Sequence, residues 1–206
     1  MSNTTKTYSK RKDGVTHVRF VAVTGMLSAI AFILMFFDFS IPIMPGFIKM
    51  DVSELPALIA TFAYGPLSGV CVCLIKNLLH LTITTTGGVG ELSNFLLGVC
   101  LVVPAGLVYK NKKNKKNAII GTAVGAVAMG VLSIPVNVFI TYPVYYNFMP
   151  QEVIVAAYQA ILPSVKNILQ CLIVFNAPFT FVKGAVCSVI TMLIYKPLSP
   201  ILHGNK

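Results

Sequence analysis

Charge in this chain is sorted by segment. Most of its bases sit in two blocks, Lys6-Lys10-Arg11-Lys12-Arg19 and Lys110-Lys112-Lys113-Lys115-Lys116. The six acids are Asp13, Asp38, Asp51, Glu54, Glu91 and Glu152, and apolar runs separate all but Asp13 from those blocks. On a soluble protein opposite charges interleave over one surface. A bilayer sorts them by loop, because basic loops stay on the cytoplasmic side.

The composition agrees. Hydrophobic residues are 56% of 206, charged residues 11%, and the mean hydropathy is +0.80. An apolar helix of about 20 residues crosses the roughly 30 Å hydrocarbon core. The chain reads as an all-α membrane protein built as one bundle. The net charge of +10 does not imply nucleic acid, because the bases flank apolar runs and the aromatics lie within them. A lipid bilayer with anionic headgroups is the partner this pattern fits. Cys71, Cys73, Cys100, Cys171 and Cys187 all fall in apolar segments, with no CxxC pair and no Cys/His cluster. They read as small buried hydrophobes, with no disulfide frame and no metal site. The apolar run to Phe37 is too long for a signal-peptide core and reads as an uncleaved first span.

Six spans are predicted, at 17–37, 54–64, 67–83, 91–109, 118–142 and 168–195. Gly65-Pro66 marks a tight turn, since proline disfavours helical geometry in the residue before it. Asp38–Ser53, Thr84–Gly90, Asn111–Asn117 and Tyr142–Gln159 read as loops, the last with a short helix. With the 110–116 loop inside, both termini fall inside, together with Lys196 and Lys206. Asp38, Asp51, Glu54, Glu91 and Glu152 fall outside or at the outer interface. This divides the chain into a basic cytoplasmic tail (1–16), a transmembrane domain (17–197) and a cytoplasmic C-terminal tail (198–206).

A phosphate loop, HExxH and GxSxG are all absent, and His17, His80 and His203 are scattered. No catalytic residue is assigned. Polar residues on the spans carry the argument, because in lipid each must face the interior or a cavity. Asn176, Thr180 and Lys183 share a helix face at i, i+4, i+7, and Pro178 should kink that helix. Lys183 reads as a ligand residue or as half of an ion pair with an acid such as Glu91. Glu91 and Asn94 sit three apart in the first turns of span four, where the helix dipole favours a carboxylate. Gly130, Ser133, Asn137 and Thr141 form a small or polar face on span five. Lys76 and His80 lie near the outer end of span three, within reach of the interface, and read as structural. This mixed donor and acceptor set suits a neutral solute rich in hydroxyls or amide edges. Gly25 and Ala29, four apart on span one, let another helix approach closely and read as a partner-docking face. Thr24 with Ser28, and Gly121 with Gly125, repeat the spacing.

The strings IKMDVSELPALIATFAYGP, IKNLLH, GVGELSNFLLG, LSIPVNVFITYP and PFTFVKGAV, in this order, resemble the riboflavin-specific substrate-binding (S) components of energy-coupling factor (ECF) vitamin transporters. The likeness runs from span one to about Lys196. It implies the S-component fold, six transmembrane helices with a long extracellular loop between the first two. It also implies riboflavin as transported ligand, with no cofactor, in a bacterial cell membrane. A transmembrane coupling protein and two ATPase subunits are the implied partners. Carried over by position, Glu91 and Asn94 meet the ribityl hydroxyls. Asn137, Thr180 and Lys183 meet the polar edge of the isoalloxazine ring, and Met50 and Asp51 lie in the capping loop. The family often has Asn at the position of Thr180, and Asn176 one turn earlier is the compensating amide. Alternatives are an S component for another vitamin and, from a different class, a small intramembrane enzyme. The latter lacks any nucleophile–base or metal constellation.

Overall fold

Apolar length is what turns most of this chain into helix. The computed structural model describes the backbone of residues 2–203 and the side chains of 17–195. The side chains of the Lys6–Lys12 block, Lys196 and Lys206 lie outside the described residues. Among the described residues, five helical stretches are long and apolar enough to cross a membrane: 17–35, 66–83, 89–111, 115–145 and 168–195. Only 28–33% of an 18-residue apolar segment in each is buried inside the protein, and exposed Val, Leu, Ile and Phe side chains line their outer faces. Such a surface needs lipid around it.

The chain begins with α1 (Ser2–Met35). A short antiparallel pair follows, β1 (Phe39–Ser40) and β2 (Lys49–Met50), in the register Phe39↔Met50. The segment expected as plain loop is thus pinned as a hairpin. Helix α2 (Glu54–Tyr64) is the expected second span, but its 11 residues rise only about 16 Å at 1.5 Å each. Gly65, at φ 99°, ends α2, and Pro66 opens α3 (Pro66–His80). The predicted turn is there because glycine tolerates that φ and proline is preset for a helix start. Helices α4 (Val89–Asn111) and α5 (Lys115–Val136) are joined by the basic loop, and Asn114 Oδ1 caps α5 by accepting from the Asn117 N–H at 2.8 Å. Helix α6 (Tyr142–Tyr145) ends the stretch begun by α5, α7 (Gln151–Gln159) lies outside the five long stretches, α8 (Ile168–Cys171) opens the last of them, and α9 (Ala177–His203) closes the chain.

The kink expected at Pro178 takes a specific form. A π-helical turn, Leu172–Asn176, precedes Pro178, and a second, Asn137–Thr141, precedes Pro143 at the same spacing. A proline ring clashes with the carbonyl four residues back. In both cases that carbonyl, of Phe139 and of Val174, falls inside the wider turn. Such bulges are frequent at functional sites.

Helix α4 packs on α3 and α5, and α5 packs on α9. In lipid such contacts depend on close approach more than on expulsion of water. A Cβ on Gly121 would stand 2.6 Å from the Ala105 carbonyl oxygen, and one on Gly125 would stand 2.5 Å from that of Leu101. Gly121-x-x-x-Gly125 is therefore spent inside the bundle. On α1 the two small-residue pairs separate. Thr24 and Ser28 are buried, with Thr24 Oγ1 2.8 Å from Ser68 Oγ. Gly25 and Ala29 face outward, with nothing within 4 Å of a Cβ on Gly25. An inner core includes Leu58, Phe62, Leu101, Met129 and Cys187, and an outer one includes Met44, Ile154, Tyr158, Leu172 and Phe175.

Candidate functional site

Residues of both cores meet at one cavity of about 300 Å³. Its walls come from α4 (Glu91, Asn94, Leu97), from α5 and the first π turn (Met129, Asn137, Thr141), and from the second π turn with α9 (Asn176, Phe179, Thr180, Lys183). The hairpin segment adds Asp38, Phe47, Lys49 and Asp51. Seven of the eight predicted ligand residues line this space: Asp51, Glu91, Asn94, Asn137, Asn176, Thr180 and Lys183. Met50 is the exception. It is buried but does not line the cavity. Its neighbours Lys49 and Asp51 take the cavity face.

Lys183 pairs with Asp51, Nζ to Oδ2 at 2.7 Å, and not with Glu91. The hairpin delivers Asp51 to that spot, and no spacing along α9 could reveal a partner 132 residues away. Burial opposes ionisation of Asp51, but Lys183 and then Lys76 outweigh it and hold the carboxyl below its usual range. Asp51 Oδ1 also accepts from the Ser53 backbone N–H at 2.8 Å and from the Ser53 hydroxyl at 2.5 Å.

Lys76 is a correction. It was expected to reach the outer interface, yet its side chain and that of Glu54 are both 0% exposed. Lys76 Nζ donates to Glu54 Oε1 at 2.8 Å, Ser53 Oγ at 2.6 Å and Asn94 Oδ1 at 3.1 Å. Three acceptors saturate an ammonium's three N–H bonds. Glu54, expected at the outer surface, is thereby drawn inside, since a buried lysine without a carboxylate would be too costly. The remaining oxygen of Glu54 takes the Cys73 thiol at 3.6 Å. Asn94 Nδ2 donates to Asp51 Oδ2 at 3.4 Å, which links both ion pairs into one electrically neutral network. Ser53 and Glu54 escaped the sequence reading. Their signal was the run Asp-x-Ser-Glu directly before an apolar helix.

Glu91 has its own partners. Its Oε1 lies 2.7 Å from His80 Nδ1, and its Oε2 accepts from Thr84 at 2.9 Å and Thr86 at 3.2 Å. His80 is therefore a cavity-lining neighbour of the carboxylate. Asn176 is tied to the outer core: Tyr158 Oη donates to its Oδ1 at 2.6 Å, and its Nδ2 donates to Tyr142 Oη at 3.4 Å. Its oxygen and one N–H are thus engaged, so it cannot offer the paired donor and acceptor of an asparagine at position 180 and keeps only its second N–H.

The site is thus a walled, near-neutral chamber with a carboxylate, amides, a hydroxyl and an ammonium around an apolar body of Phe47, Leu97, Met129 and Phe179. Such a set binds and orients.

Comparison with known proteins bears on what it binds. Residues 19–195 match the family described as ECF transporter, substrate-specific component. The riboflavin transporter RibU of Staphylococcus aureus is 34% identical over 194 residues, 94% of this chain and 97% of that protein. The riboflavin transporter FmnP of Bacillus subtilis is 31% identical, over 92% of this chain and 96% of its own length. A solved structure of the S component of a bacterial ECF transporter superposes with a TM-score of 0.72 at 32% identity, covering 90% of this chain and 98% of that one.

Proposed function

This chain belongs to the substrate-specific components of ECF transporters, a multi-pass membrane protein, and we infer that it is the riboflavin-binding subunit of an ATP-driven vitamin importer. It takes riboflavin from outside and delivers it with a transmembrane coupling protein and two ATPase subunits, without chemical conversion. The cavity carries this reading. Its 300 Å³ suits one small ligand enclosed largely by protein. Its apolar body fits a flat fused ring, Glu91 and Asn94 fit ribityl hydroxyls, and Lys183, Thr180 and Asn137 fit a uracil-like edge of carbonyls and one N–H. Asp51 belongs to the closing segment.

The test is direct. The detergent-purified protein should come out yellow or bind added riboflavin one to one with quenched flavin fluorescence, and the released ligand should be unchanged. Tight binding of a different vitamin without flavin binding would overturn the specificity, and a modified product would favour an enzyme.

Two further readings belong to this proposal. Helix α2 is the sixth member of the bundle, and both termini are cytoplasmic. Labelling of cysteines introduced at 112–114 from outside intact cells should then fail, and efficient labelling would reverse the topology. Gly25 and Ala29 form the coupling-protein face, since both are exposed and uncrowded. Gly25→Leu with Ala29→Leu should leave riboflavin binding intact and abolish uptake with the coupling module co-expressed. Retained uptake would move the docking surface elsewhere.

A further inference from the structure

Tyr158 lies on α7, outside the bundle, and does not line the cavity. It is fully buried, with Phe175 and Phe47 rings 5.3 and 6.1 Å away. Its hydroxyl lies 2.6 Å from Tyr142 Oη and donates to Asn176 Oδ1 at 2.6 Å, and Asn176 Nδ2 returns to Tyr142 at 3.4 Å. The three groups form a closed ring of hydrogen bonds in which each donates once and accepts once. The 2.6 Å contact lies in the range of O–H···O bonds and is short for N–H···O. That fixes the carbonyl of Asn176 on Tyr158 and one N–H on Tyr142. The second N–H takes no part in the ring, and Asn176 lines the cavity. An amide's terminal torsion is otherwise broad and two-fold, so the same side chain without the ring could present either its oxygen or its nitrogen. Burial pushes the Tyr158 phenol far above its usual ionisation range, so it stays a donor at neutral pH.

We propose that Tyr158 is a positioning residue that locks the Asn176 amide with an N–H toward the bound ligand, so that the site selects a hydrogen-bond acceptor, such as a ring carbonyl, at this point. This rests on the riboflavin reading and extends it to an element outside the transmembrane bundle. It also explains why a tyrosine on an outer helix is fully buried and bonded to a residue of the cavity wall.

Tyr158→Phe removes the hydroxyl and keeps the ring. Titrated with riboflavin in purified full-length protein, it should lose about tenfold in affinity, as expected for one lost hydrogen bond within a buried network. A role through Asn176 makes the losses non-additive: in an Asn176→Ala background, Tyr158→Phe should change affinity by less than about twofold. A general packing role would instead multiply the two losses and overturn the proposal, as would wild-type affinity in Tyr158→Phe. Should Tyr158→Phe fail to fold, Asn176→Asp decides the matter, since a carboxylate at that position has no N–H. It should bind at least about tenfold more weakly at neutral pH, and wild-type affinity would refute selection of an acceptor. No quenching by the wild type would strike the riboflavin reading itself, and this proposal with it.

Discussion

Lys76 and Lys183 are both buried, both draw on acids from the short stretch Asp51–Glu54, and differ in how many acceptors they have. On the α2–α3–α4 side, Lys76 has three acceptors and shares a fully enclosed pair with Glu54. Facing it from α9, Lys183 lines the cavity and has Asp51 as its hydrogen-bond partner among the described residues. A saturated ammonium holds a fold together. One with N–H bonds to spare, at a cavity wall, is available to a ligand. Residue type and depth in a helix do not separate these cases; the count of acceptors does.

The largest effect expected from this contrast is on stability. Lys76→Met leaves Glu54 buried and unpaired, which costs about 3–5 kcal/mol. Thermal melting of the ligand-free protein should drop sharply, and Lys76→Met with Glu54→Leu should recover much of the loss. An unchanged melt in the single variant would erase the distinction between the two lysines.

Lys183→Met should lower the melt too, since Asp51 loses its ion-pair partner, but unlike Lys76→Met it should also weaken binding. Loss of a charged hydrogen bond costs roughly 1.5–3 kcal/mol, or about ten- to hundredfold in affinity, in protein that still folds. Wild-type affinity in the folded variant would remove Lys183 from the site.

Acid sharpens the comparison through Asp51, which touches both networks. Its folded-state value lies below the ordinary 3.8, so its stabilising contribution is fully present above that pH and lost as pH falls through the folded value. The difference in melting between wild type and Asp51→Asn should therefore stay constant from about pH 5 to 8 and shrink below about pH 4. A difference that fades near neutrality would mean that the carboxyl is not held ionised.

The smallest effect belongs to a third lysine. Lys49 pairs with Asp38 at 3.0 Å, but their side chains are 44% and 31% exposed. Exposed pairs contribute about 0–1 kcal/mol, so Lys49→Ala should barely shift the melt, and a shift as large as that of Lys76→Met would show that acceptor count is the wrong criterion.

The helices were legible because their cause is local. Apolar length, the Gly65-Pro66 turn and the basic loop before α5 all act within a few residues, and α2 begins and ends where the sequence places it. The face Asn176–Thr180–Lys183 was legible for the same reason: the π turn ends at Asn176, and ordinary helical periodicity from there keeps all three on the cavity. Lys76 was misread because a lysine near a helix end has two options, snorkelling outward or pairing inward, and only the neighbours decide between them. Met50 lies in the expected segment but off the cavity wall, which only the paired hairpin shows.

Periodicity and hydropathy thus determined a membrane bundle with polar faces that had to meet inside it. Tertiary structure decided which charge meets which: Asp51 reaches Lys183 across 132 residues, and Tyr158 reaches Asn176 from a helix outside the bundle. Spans follow from the transfer of each segment into lipid, which is nearly additive along the chain. Ion pairs and hydrogen-bond rings depend on distances between segments, and those exist only after the helices pack.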